Sequence, residues 1–485
     1  MKRRQFVGAS VGTAAGILAS QFVYGATRFN YPRVLETKVL DDSAANHLLN
    51  RAAFGCGGQA TTSNLQAIGL EGWLEQQLLP EQIAQPEHLR VELESLKTIS
   101  QSQAQLLGAY KLSREEQTAA LRLTGSEARR ARLSRAIYSE AQLSEVMTAF
   151  WFNHFNVFEA KDRARVVTGN FDSHAIRPHV FGKFRDLLGA TAKHPAMLIY
   201  LDNFRSSAGR MNENYAREVM ELHTVGADGG YSQPDVTTLA RMFTGWTIPR
   251  ADAIDVLAQG DVFRFDARRH DDGASQWFGQ TVDVKGQAQA EFALDFLASH
   301  PATARRVAYK LAQHFIADDP PADCVARLAS VYLQSDGLIA DVLRALFTDP
   351  AFWSLTARGK KFKTPYEYAV STVRASAVQI QSVQPLLASL QQQGQPLFGC
   401  LTPDGYKNTE AALLSPEVLN HRIQFATTFA AGKLPSLSKS GPLDAASLQK
   451  VLKTVIGAKN QSIIAMAAPE LQAGLMLSTP EFMRR

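Results

Sequence analysis

Cysteine is scarce in this chain. Its three copies, Cys56, Cys324 and Cys400, are far apart and odd in number. That excludes a disulfide framework and CxxC metal spacing, and leaves either a single disulfide or three small buried thiols. Long apolar runs are absent after Val23, so no later stretch reads as a membrane span. Period-two alternation is rare, with Gln276 to Val284 the best stretch for a short hairpin, which argues against a sheet-built core. No Gly-rich phosphate loop follows a strand and no Gly-x-Ser-x-Gly elbow occurs. The Glu-x-x-His spacing of di-iron bundles and the His-Glu-x-x-His of zinc proteases are missing as well. No Ser/Gly linker, low-complexity tract or internal repeat divides the chain.

What is present begins with an export signal. Lys2, Arg3 and Arg4 precede a mild apolar run from Val7 to Val23, rich in Gly, Ala and Ser. Val23 and Gly25 suit the −3 and −1 positions of a cleavage site. The Arg-Arg-Gln-Phe start resembles a twin-arginine signal, and the alternative is a general secretory signal with a chance arginine pair. The expected mature protein starts near Ala26, with residues 26–41 as a linker, and is periplasmic or secreted. Removing the three basic residues takes the formal charge from +5 to +2, since no acid precedes the cut. A nearly neutral mature chain gives no electrostatic footprint for nucleic acid.

Residues 42–485 read as all-α: one large multi-helical domain with at most a short β-hairpin insertion. Ala45 to Gly55, Leu65 to Leu79, Pro301 to Phe315 and Pro416 to Phe429 have apolar residues at helical spacing. Val91 to Leu123 is polar enough for a long exposed hairpin of helices, and Ser126 to Phe158 follows as one or two more. Arg250 to Gln289, rich in Gly, Asp and Gln, reads as loops and short strands.

Candidate chemistry concentrates between Leu143 and Trp246. As a helix at 100° per residue, Glu213 to Thr224 gathers Glu213, Asn214, Arg217, Glu218 and Glu221 within an arc of roughly 140°. Asn212 suits the N-cap, Glu213 the first turn, and Gly226 a left-handed stop. Such an arc is either a solvated face with Glu213–Arg217–Glu221 pairs or a group of carboxylates for cation, sugar or proton. In Leu143 to Phe158, His154 shares the face of Leu143, Met147, Phe150 and Trp151, so it points inward, as a core histidine does. His223 falls on the apolar side of its own helix. Ser232-Gln-Pro-Asp235 reads as a capping box, and the His270-Asp271 turn is a polar cluster within reach of a site.

These residues carry a resemblance. The stretches His47–Gly55 (HLLNRAAFG), Phe150–Phe155 (FWFNHF), Pro195–Asn203 (PAMLIYLDN) and Asn212–Glu221 (NENYAREVME) are similar to the bacterial family known as domain of unknown function 1800. Gly230–Asp235 (GYSQPD), Phe243–Trp246 (FTGW), His270-Asp271 and Ser478–Arg484 (STPEFMR) continue it in order, from about Asp42 onward. The resemblance implies export, often by the twin-arginine route, and a sulfatase-like exported neighbour as partner. It implies no established reaction. It also implies that the polar arc is a buried network. Two departures matter: Phe152 replaces a second histidine common before the Asn-His pair, and Ser275 replaces a lysine common after the His-Asp turn. A mechanism needing either group does not fit this chain.

Two functional readings follow. In one, the protein is an envelope or extracellular hydrolase or lyase. Glu218, Glu221, His154 and Arg217 are then the catalytic candidates, and Asn153, Asn212, Glu213, His270 and Asp271 the binding candidates. A divalent cation held through oxygen ligands fits this reading, but no complete ligand set can be named. In the other, the protein is a non-catalytic partner of a sulfatase-like exported protein or of a surface polysaccharide, and the network only keeps helices in register.

Overall fold

Local caps decide where most helices begin. In the computed structural model, Asp41 accepts from Ala44 N at 2.7 Å and starts the helix Asp42–Ala52, three residues earlier than periodicity alone suggests. Leu48, Leu49 and Ala52 of that helix are buried. The long exposed hairpin expected over Val91 to Leu123 is replaced by Glu87–Ser95, Gln103–Gly108 and the 25-residue helix Arg114–Tyr138. The reason is capping: Ser102 with Gln105, and Ser113 with Glu116, form reciprocal boxes that begin new helices where apolar spacing gives no break.

The structure describes residues 41–57, 59–250, 253–254, 261–435 and 441–485. The export signal, all of the linker but Asp41, and part of the Arg250 to Gln289 loop region lie outside the described residues. All described residues belong to one compact unit. Among them are 23 α-helices and two two-stranded antiparallel sheets, so the fold is all-α with small β insertions. Trp246–Thr247 pairs with Arg264–Phe265, and Gln276–Trp277 pairs with Gln280–Thr281 at the stretch expected to form a hairpin. No helix among the described residues is long and apolar enough to cross a membrane. All three cysteines are free and buried.

One helix positions the site. Gln142–His154 starts after a tight corner in which the Gln142 side chain donates to the carbonyls of Ala136 and Ser139. Leu143, Val146, Met147, Trp151 and Phe152 are then all buried, and burying each such side chain contributes about 1.5–3 kcal/mol. Phe152 packs against Phe171 and Phe398, so an apolar ring fills the position two residues before His154. The helix ends at Phe155, outside helical geometry (φ −101°, ψ 45°). The polar residues Asn153, His154 and Asn156 are left at its mouth.

Candidate functional site

Those three residues bind two other segments. The Asn153 amide donates to the Tyr406 carbonyl (2.9 Å) and its oxygen accepts from Tyr406 N (2.8 Å). Asn156 donates to the carbonyls of Cys400 (3.0 Å) and Thr402 (2.8 Å). Together they strap the 398–407 loop to the end of the helix. Gly405, at φ +73°, permits the contact, because a Cβ there would collide with the Asn153 backbone oxygen. His154 Nε2 donates to the His223 carbonyl at 3.1 Å and so grips the third segment.

That segment departs from the uniform helix expected over Glu213 to Thr224. Glu213–Glu218 is α-helical, but Val219–His223 is a π-turn. The Thr224 hydroxyl donates to the Val219 carbonyl (2.7 Å), and Gly226 N (φ +89°) reaches back to Met220 O (3.0 Å). A π-turn packs an extra residue into one turn and recurs at functional sites. Asn212 is the N-cap: its oxygen accepts from Tyr215 N (3.1 Å), while its amide donates to Leu201 O (2.7 Å). Glu213 accepts from Thr237 (2.9 Å) and Gln233 (2.9 Å), and Gln233 accepts in turn from Arg217 (2.7 Å). Glutamine thus mediates between Glu213 and Arg217, joining this helix to Gln233–Met242.

Glu218 and Glu221 are half-buried, and neither has a hydrogen bond or ion pair among the described residues. Burial raises the Glu218 pKa above its ordinary 4.5; the carboxylates of Glu221 and Asp404 push the same way, against Arg217. Asp404 comes from the strapped loop. Burial alone would raise its carboxyl, but Lys407 (2.6 Å) and the Thr402 hydroxyl (2.6 Å) hold it below the ordinary value. Tyr200, which donates to Leu401 O at 2.9 Å, is raised by burial and then by Cys400 and Glu218.

Cations approach from the helix Pro301–Phe315. Arg306 donates to the Leu222 carbonyl at 3.3 Å, and its Nε is buried without a partner. Lys310, one turn on, is lowered to about 8 by burial and by Arg306 and Lys407, with Asp404 opposing. Both histidines lie within their field. Burial, Lys310 and Arg306 hold His223 down at about 3, and burial with Lys310 foremost keeps His154 far below its ordinary value. Both rings are therefore neutral. His154 Nδ1 and His223 Nε2 are buried and unpaired.

The structure thus brings Asn153, His154, Arg217, Glu218 and Glu221 into one neighbourhood. Asn212 and Glu213 stand at the far end of the same helix, in structural bonds. His270 and Asp271 are tied instead to the end of Gln233–Met242. His270 Nδ1 bonds Thr244 O at 2.8 Å and its Nε2 lies 3.2 Å from Gln289 Oε1, while Asp271 faces Arg241 at 3.5 Å. Sequence reasoning missed Asp404, Lys407, Arg306 and Lys310. A signal existed only for the last two, a basic pair at i, i+4 on an amphipathic helix. Among the described residues no group of three or more His, Cys, Asp or Glu side chains gathers as a metal site, so the donor set present does not form a cation cage.

No curated protein and no solved structure matches this chain. The family described as protein of unknown function DUF1800 matches residues 47–484, nearly the whole chain. The strapped helix end and the capped polar arc both lie within that match, and the chain belongs to the DUF1800 family.

Proposed function

We propose that this protein is an exported acid–base enzyme, a hydrolase or lyase of an envelope or extracellular polymer, with Glu218 as the proton donor. The observation that carries it is Glu218 itself: half-buried, free of any bonded partner, and raised by burial beside two further carboxylates. Burial and neighbouring carboxylates that raise a carboxyl's pKa move it in the direction a general acid needs. Glu221 is the neighbouring carboxylate that pushes Glu218 up, Arg217 limits how far Glu218 rises, and His154 positions the π-turn through its bond to the His223 carbonyl. Assaying the purified mature protein against a panel of envelope polysaccharides tests this. Glu218→Gln is expected to lower turnover by roughly 10²–10⁴-fold with the melting temperature kept. No cleavage by the wild type, or full activity in the variant, overturns it.

Export belongs to the same reading. The chain carries a twin-arginine signal cleaved near Gly25 and acts in the periplasm or outside the cell. Replacing Arg3 and Arg4 by lysine is expected to trap precursor in the cytoplasm; unchanged export assigns the signal to the general secretory route.

A second reading draws on the C-terminal helices, which expose Met466 (80%), Leu471 (55%) and Ile463 (50%). A contiguous apolar patch left in water marks a contact surface, and these three side chains fall within one short stretch of the chain. They favour a non-catalytic partner of the sulfatase-like exported protein implied by the family, or of a surface polysaccharide. Co-purification of a stable complex by an inactive wild type would select it.

A further inference from the structure

Lys310 is out of keeping with the other basic side chains near the site. Lys407 answers Asp404 at 2.6 Å, and Arg217 is bonded to Gln233 at 2.7 Å. Lys310 is half-buried, yet no hydrogen bond or ion pair reaches it among the described residues. An ammonium withdrawn from water with no counter-charge in contact is costly to keep. Its surroundings add to that cost. Arg306 from its own helix and Lys407 from the loop act against its charge, with Asp404 as the single opposing carboxylate; His154 and His223 on the other two segments are neutral and add no charge. That carboxylate is already taken by Lys407 and the Thr402 hydroxyl.

Arg306 is the natural companion. It lies one turn before Lys310 on the same face, and its guanidinium rests against Gly226, where a Cβ would meet Nη1 at 3.1 Å. Its buried Nε and the buried His223 Nε2 are both unpaired. Lys310 Nζ and Arg306 Nε thus stand without a bonded partner among the described residues, with the Glu221 carboxylate acting on Arg306 and Asp404 on Lys310.

We propose that Lys310 and Arg306 form a subsite for an anionic substituent, a carboxylate or a sulfate ester, on the sugar whose linkage Glu218 protonates. This rests on the acid–base reading above and narrows its substrate class to acidic polysaccharides. The chemistry is self-consistent. The bound anion supplies the counter-charge that Lys310 lacks, and added negative charge in the neighbourhood of Asp404, which acts on both Lys310 and Glu218, favours the protonated form that a general acid requires. Guanidinium and ammonium together suit a planar carboxylate or a tetrahedral sulfate, the first by a fork and the second as a point charge.

Isothermal titration of the mature wild type with galacturonate, inorganic sulfate and glucose tests the subsite without reference to turnover. Saturable binding of at least one anion, and none of glucose, is expected; whichever anion binds tighter identifies the substituent. Binding is expected to weaken as pH rises past about 8, where Lys310 loses its proton. Lys310→Met is expected to bind at least tenfold more weakly, and Lys310→Arg to retain binding. Should Lys310→Met fail to fold, the amine titration of the wild type decides, because saturation with the anion must move the Lys310 pKa upward. Absence of binding, equal binding of glucose, wild-type affinity in folded Lys310→Met, or an unmoved amine each overturns the subsite. Glu218→Gln separates the two proposals: it is expected to bind the anion while losing turnover. Unchanged turnover in that variant sinks the acid reading and leaves the subsite standing.

Discussion

Two charged clusters in this protein are built on opposite terms. In the first, Arg177 forks onto Glu145 at 2.5 and 3.0 Å, and Arg132 contacts Asp172 and the Tyr366 hydroxyl. Arg132, Asp172 and Glu145 are all but sealed from solvent, with side chains 3–4% exposed. Burial alone would lower both guanidinium pKa values, but Asp172 for Arg132, and Glu145 then Asp172 for Arg177, raise them instead. In the second, Glu218, Glu221 and Lys310 are only half-buried and touch no opposite charge. A charge that serves the fold is answered within the fold. The charges of the second cluster are left without a bonded partner among the described residues.

The widest gap between the clusters should be in stability. Glu145→Gln leaves Arg177 buried and under-compensated, and a loss of roughly 3–5 kcal/mol is expected, seen as a large fall in denaturant midpoint. Lys310→Met removes an unanswered ammonium and should change stability by less than about 1 kcal/mol, in the stabilising direction. If the two variants fall equally, the contrast is wrong.

Asn153→Ala comes next. It removes both bonds to Tyr406, and about 1–3 kcal/mol is expected for the donors and acceptors left behind. Amide exchange at 402–407 should rise ahead of the rest of the chain. An unchanged exchange pattern would mean that Asn156 alone holds the loop.

Two pH effects sharpen the comparison further. Lys310 falls from 10.5 to about 8 on folding, so its neutral form favours the native state. Its stabilising contribution is complete above pH 10.5 and is lost as pH falls through about 8. Wild-type stability should therefore gain on Lys310→Met across that window, measured by urea unfolding. Glu218 has the raised pKa of a group whose protonated form favours the native state. Its contribution is complete below the ordinary 4.5 and disappears as pH rises through the folded value. Glu218→Gln should accordingly gain on wild type as pH climbs through that range, by the smallest margin of the four. Parallel pH profiles would place Glu218 in ordinary solvent.

Much of the frame is legible in the sequence because it is local. The Asn212 cap, the Ser232–Asp235 box, the left-handed Gly226, the inward His154 and the Gln276 to Thr281 hairpin all depend on residues a few positions apart. The site's other half is not local. Asp404 acts on Glu218 from a loop that Asn153 and Asn156 hold in place some 250 positions away, and an asparagine's partner cannot be read from its neighbours. The π-turn was hidden for a different reason. Apolar spacing over five residues fits an α-helix as well, and only the Thr224 and Gly226 bonds mark the wider ring.

That wider ring gives the segment one residue of slack. An ordinary helix cannot lose a residue without turning everything beyond it by about 100°. Here, deletion of Leu222 would let the ladder close in α register, so the backbone would tolerate the loss. The carbonyl that His154 now holds would swing away, however, and the joint between the two halves of the site would open. A change of length mild for the fold is thus severe for the site, and relatives that lack the extra residue would have to anchor their carboxylates by another route.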